Sequence, residues 1–200
     1  MRRGSYGSAL DLCGRRSPGA CVGWRNCRSV FGACGNYWVD VSIEANMDEQ
    51  QIELIGTAAL TTALIREAFE VAHPMRDRGI DLIVFSDSPD NPFSAVPVQV
   101  KAHTGAALMV QRKYEKFRGL VHAVVWQALS QQPHYFLFDQ EEAVSLVPES
   151  SRQTDSWLRP DGHWTWTDAP GNLQDRMARF ENRWDWLRSR LKSTLAATQI

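Results

Sequence analysis

Apolar and polar positions divide the chain into short strand-like runs bracketed by two longer helical ones. Over residues 49–66, Ile52, Ile55, Ala59, Thr62 and Ala63 share one side of a helix. Asp48 and Gln51 precede and enter this run with the spacing of an N-cap and its capping-box partner. Phe69 to Ala72 reads as a short edge strand stopped by Pro74. Two strands follow, Asp81 to Phe85 and Val96 to Lys101, joined by the Ser-, Asp-, Asn- and Pro-rich loop Ser86 to Ser94. Residues 108–118 are expected to form a helix bearing Arg112, Lys113, Lys116 and Arg118. Val121 to Trp126 is nearly all apolar and reads as a buried strand. Tyr135 to Phe138 is another strand, and Glu141 to Val147 a short helix. A polar, turn-rich stretch over 148–170 carries Trp157, Trp164, Trp166 and the turn signal Asp161-Gly162. A last helix over about 172–195 then places Leu173, Met177, Phe180, Trp184, Leu187 and Leu191 on one stripe.

Within this pattern one hairpin stands apart. Strand side chains alternate between faces, so Gln99 and Lys101 point the same way. If Phe85 lies opposite Ala95, Asp81 falls opposite Gln99. Asp81, Gln99 and Lys101 then share one face, and Leu82, Val84, Val96, Val98 and Val100 the other. A carboxylate, a neutral oxygen and an ammonium on one face form a candidate site for a metal and a phosphate. The plainer reading makes Asp81 a strand-entry cap after Gly79, with Gln99 and Lys101 on the wet side of a half-exposed sheet.

Composition adds bounds. Two hundred residues with 44% hydrophobic and 22% charged content suit one soluble globular domain with a real core. No apolar run approaches the roughly 20 residues that span a bilayer. Arg2 and Arg3 are not followed by the apolar core of a secretory signal, so a cytoplasmic protein with no membrane partner is expected. The net charge of -1 gives no global argument for nucleic acid, so a basic surface would have to be local.

The charge is uneven. Residues 1–46 hold all four cysteines, seven of the thirteen glycines, and six arginines against three acids, for +3. Residues 47–200 carry sixteen basic and twenty acidic side chains, for -4. Cys13, Cys21, Cys27 and Cys34 lack any CxxC pair and have no nearby histidine, which argues against zinc. A disulfide-stapled lobe would need an oxidising compartment. The remaining reading is a disordered or mis-started leader, with the functional domain beginning at or near Met47. That domain is read as a core over about 49–147 and a C-terminal helical extension over about 148–200.

The order helix, strand, Gly-Ile-Asp strand, turn, Val-Gln-Val-Lys strand, helix, strand resembles the PD-(D/E)XK nuclease superfamily over roughly residues 49–138. The resemblance is most specific at Arg78-Gly79-Ile80-Asp81-Leu82-Ile83 and Pro97-Val98-Gln99-Val100-Lys101. It implies an α/β restriction-endonuclease-like core, a central mixed sheet flanked by helices, here with the amphipathic C-terminal helix added. It also implies hydrolysis of phosphodiester bonds in nucleic acid, DNA foremost, with Mg2+ as cofactor and Mn2+ as substitute. Carried over residue by residue, Asp81 is the main metal carboxylate, Gln99 gives a side-chain oxygen and Val100 a backbone carbonyl. Lys101 orients the attacking water and stabilises charge on the phosphate.

The chain departs from the superfamily pattern in two ways. The family often carries a glutamate on the first helix, but the helix interior from Gly56 to Ile65 has no acid, and Glu53 is the nearest candidate, one turn early. Gln99 is neutral, as in several branches. One sure carboxylate holds a divalent cation weakly without substrate phosphates, so a catalytically inactive nuclease-like module that binds nucleic acid or protein is the alternative. Arg112, Lys113 and Lys116 form either a solvated basic face or a contact to a phosphate backbone. His103, just past Lys101, could hydrogen-bond a phosphate. The stripe of the last helix could pair two copies into a homodimer.

Overall fold

A computed structural model describes residues 47–76, 78–86, 93–166 and 170–196. The expectations for residues 1–46 and for a start at Met47 fall outside the described residues. All described residues belong to one compact unit, residues 42–200.

The first helix, α1, runs Glu49–Arg66. Asp48 Oδ1 accepts from the Gln51 backbone N–H at 2.8 Å, and Gln51 Oε1 accepts from the Asp48 N–H at 2.9 Å. The capping box therefore satisfies two of the donors that a helix start leaves unpaired. Asp48→Ala should cost about 1 kcal/mol of stability in urea denaturation.

Strands β1 (Glu70–Ala72), β2 (Leu82–Ser86), β3 (Ser94–Ala102), β5 (Val121–Trp126) and β6 (His134–Asp139) form a mixed sheet in the order β1-β2-β3-β5-β6, while β4 (Leu108–Gln111) and β7 (His163–Trp166) pair as a separate ribbon. β3 is antiparallel to β2 and parallel to β5. Phe85 lies opposite Ala95, the register that the hairpin pattern anticipates.

Both faces of the sheet are covered. On one, Leu82, Val84, Val98, Val100, Ala123, Val125 and Leu137 pack under Leu60 and Leu64 of α1 and under Leu187 and Leu191 of the last helix, α6 (Trp184–Ala196). On the other, Val124, Trp126, Phe136 and Phe138 meet Leu108 and Val110 of β4, Ala143 and Leu146 of α2 (Gln140–Leu146), and Leu173 and Met177 of α5 (Pro170–Met177). Two single-turn helices, α3 (Glu149–Arg152) and α4 (Asp155–Leu158), lie between α2 and β7.

Two expected elements differ. Residues 108–118 are not a helix: Leu108 and Val110 are buried with Met109 and Gln111 half-buried between them, a period of two, before a 3-10 turn over Arg112–Lys116. Pairing with the tryptophan-bearing β7 overrides the local helical pattern. The long terminal helix is also broken. Glu181 bridges to Phe136, the Asn182 N–H donates to the Tyr135 carbonyl at 2.8 Å, and Asn182 takes φ +50°. The edge strand β6 thus gains backbone partners where a continuous helix would leave its outer groups bare. The apolar stripe is split accordingly. Leu173, Met177 and Phe180 serve one core, Leu187 and Leu191 the other, each at most 5% exposed. These five residues of the stripe pack inside this chain.

Candidate active site at the open end of the hairpin

β2 starts at Leu82, opposite Val98, whereas β3 continues to Ala102. Beyond Val98 the β2 side of β3 therefore has no strand to pair with among the described residues. Asp81 fills that gap. Its backbone N–H still donates to the Val98 carbonyl at 2.9 Å, and its Oδ2 accepts from the Val100 N–H at 2.6 Å. The carboxylate thus takes the place of the next strand carbonyl. Gln99 completes the corner: its Nε2 donates to Asp81 Oδ2 at 2.5 Å and to the Val100 carbonyl at 3.0 Å. Gly79 sets the approach to Asp81 with φ +92°, and a Cβ there would stand 3.0 Å from Cε1 of Tyr114.

Lys101 lies two residues on, its side chain 28% exposed, and its Nζ is hydrogen-bonded to Glu53 Oε1 of α1. The helix acid one turn early does reach the site, then, through the lysine. The position of α1 follows from Gly56, where the helix backbone meets the Ala102 methyl of β3.

The face that carries Asp81, Gln99 and Lys101 is not the wet side of a sheet. Across the strands, Gln99 neighbours His122 and His122 neighbours Phe138, while Lys101 neighbours Val124 and Val124 neighbours Phe136. The polar corner is continuous with the second apolar core, and Gln99 is only 4% exposed.

His122 is the residue that the apolar reading of its strand passed over. It is 8% exposed, bonded through Nε2 to Gln140 Oε1 at 2.6 Å, and packed against the rings of Tyr114 and Phe138. Gln140 in turn donates to the Gln111 carbonyl at 3.3 Å. The one signal in the sequence was a lone polar residue in an otherwise apolar strand. Burial pushes the imidazole down to about 4, against the opposing pull of the Gln140 bond. Unfolded histidine protonates near 6.5. Between those values the unfolded chain binds more protons, so stability is full above about pH 6.5. It should fall by about 3 kcal/mol as the pH drops towards about 4. Urea midpoints measured across that window should decline in wild type and much less in His122→Phe.

The other candidates are placed differently. Arg112 is a structural staple. It pairs with Glu115 at 3.0 Å and donates to the Leu158 carbonyl at 3.1 Å, tying the turn after β4 to α4. Lys113 and Lys116 are exposed, their ammonium groups 4.9 Å from the ring centres of Tyr114 and Phe117. They remain the accessible part of the expected basic patch. His103 has its backbone fixed to Val125 and Ala128, and its Nε2 is buried without a hydrogen-bond partner among the described residues. Burial and the Lys101 ammonium hold its imidazole below the ordinary value, with Glu53 and Glu49 opposing.

The donor set at the corner suits a hard divalent cation: one carboxylate, one backbone carbonyl, and an amide whose Oε1 is buried with no hydrogen-bond partner among the described residues. No group of three His, Cys, Asp or Glu side chains suited to a metal occurs among the described residues. A cation here would be held by mixed oxygens rather than by a carboxylate cage. No described helix is long and apolar enough to cross a membrane.

No protein-family model matches the chain, and no curated protein does. Among solved structures the chain is similar to "The structure of a bacterial homing endonuclease: I-Ssp6803I", with a TM-score of 0.48 and 13% identity. The match covers 76% of this chain and 99% of that one.

Proposed function

We propose that the chain is a metal-dependent nuclease that hydrolyses phosphodiester bonds of nucleic acid, DNA being the substrate class put first. The observation that carries this reading is the corner at the end of β2. There Asp81 Oδ2 and the Val100 carbonyl are bridged by one side-chain donor, Gln99 Nε2, at 2.5 and 3.0 Å. Two oxygens that share a donor mark a point where a cation can stand.

In this reading Asp81, Gln99 and the Val100 carbonyl hold Mg2+, with Mn2+ as substitute. The bound cation would lower the pKa of water and offset negative charge on the phosphate. Lys101 supplies an ammonium where that charge grows and orients the attacking water. Glu53 keeps the lysine arm extended, a positioning role rather than a metal-ligating one. Lys113 and Lys116 hold the phosphate backbone further along.

A second reading, a module that binds nucleic acid without cutting it, is favoured by the single carboxylate at the corner and by the engagement of Lys101 with Glu53. One experiment separates the two. Purified protein is incubated with plasmid, linear duplex and single strands, with Mg2+ or Mn2+, and cleavage is compared with salt-dependent binding. Metal-dependent cleavage lost in Asp81 and Lys101 variants supports the nuclease. Binding that falls steeply with salt, without cleavage, supports the module.

A further inference from the structure

We propose that the Gln99 amide is a stopper for the cation position, so that the metal enters only when the amide turns over. This rests on the nuclease reading above and concerns how that site is regulated.

The amide is oriented against metal binding. Its NH2 group, which carries hydrogens and has no lone pair to offer a cation, donates to both Asp81 Oδ2 and the Val100 carbonyl. The atom that could ligate, Oε1, faces the other way and is buried with no hydrogen-bond partner among the described residues. A half-turn about the Cγ–Cδ bond exchanges the two ends. That terminal torsion is soft and nearly two-fold, so the turn itself is easy. The cost lies elsewhere: two hydrogen bonds are lost, and Oε1 is brought up to two other oxygens. Only a cation between the three makes that arrangement favourable. The closed arrangement is not deep either, because a buried acceptor left without a donor is itself costly.

Gln99 thus holds the corner together in the absence of metal and yields to it. Beside it, the Lys101 ammonium is engaged by Glu53. The free site is therefore closed on itself by its own donors. Nucleic acid, whose phosphate oxygens add ligands, should bind together with the cation rather than after it.

The test uses the full chain, with Mg2+ as probe, followed by thermal unfolding and by calorimetric titration. Wild type should show little rise in unfolding temperature with Mg2+ alone. Gln99→Glu cannot donate to Asp81, so it should be less stable without metal, rise clearly with Mg2+, and bind it at least about tenfold more tightly than wild type. As a second readout, the Gln99 side-chain NH2 signals of wild type are assigned by their loss in Gln99→Ala. They should be slow to exchange without metal and should shift when Mg2+ and a DNA duplex are added together. Equal Mg2+ responses in wild type and Gln99→Glu, or unmoved NH2 signals at saturation, overturn the stopper while leaving wild-type cleavage to decide the nuclease reading. No Mg2+ response in a folded Gln99→Glu removes the cation position itself, and the metal part of that reading with it.

Discussion

Lys101→Met and Asp81→Asn are expected to lower metal-dependent DNA cleavage by about a hundred- to a thousandfold each, with the fold left intact. The two substitutions are chosen to preserve local structure. Asparagine retains an oxygen able to accept from the Val100 N–H, so the end of the hairpin stays joined. It removes the negative charge that attracts the cation. Methionine keeps an unbranched arm and removes only the ammonium. Glu53 then loses its ionic partner, but both side chains are partly exposed, at 28% and 46%, so the pair contributes at most about 1 kcal/mol. Initial rates on supercoiled plasmid, set beside unfolding temperatures of the same preparations, check both halves. Variants that cut at the wild-type rate would place the chemistry elsewhere.

The second large effect is on stability and comes from Gly56. A Cβ at this position would lie 2.2 Å from the Ala102 Cβ and 3.5 Å from the Ala128 Cβ. Neither neighbour is a flexible side chain that can swing away, so α1 must retreat from β3. Alanine would otherwise favour the helix by about 1 kcal/mol over glycine. The steric conflict should reverse that sign, leaving Gly56→Ala about 1–3 kcal/mol less stable in urea denaturation. Gly105→Ala is the control, since nothing lies within 4 Å of its added methyl, and it should be near neutral. Gly56 sits one turn from Glu53, so the same retreat should pull Glu53 off Lys101 and reduce cleavage further than lost stability explains.

Much of the arrangement is visible in local pattern. The capping box at Asp48, the alternation of β2 and β3, and the apolar run of β5 are set by neighbouring residues, through the periods of helix and strand and the needs of a helix start. The hairpin register follows from the same alternation, because a slip by one residue would turn Leu82, Val84, Val96 and Val98 out of the core. That is why Asp81 and Gln99 could be set side by side from spacing alone.

Other features depend on contacts between distant segments. Residues 108–111 become a strand because β7 pairs with them from more than fifty residues away. The terminal stripe breaks at Asn182 because the edge of β6 takes its backbone N–H. Arg112 is tied to α4 because that helix offers it a carbonyl. No short window of sequence contains both partners in such cases.

The alternation of side chains along the chain determined by itself which residues meet at the hairpin corner, since strand geometry has a period of two wherever it forms. Only the tertiary structure decided what that corner is built into. The second face is sealed by β4, α2 and α5, so Gln99 and His122 are buried rather than wetted. The bare backbone of Gly56 lets α1 approach β3 until Glu53 meets Lys101. Burial and long-range ion pairing depend on how separate elements stack, and elements far apart in the chain come together only in the folded whole.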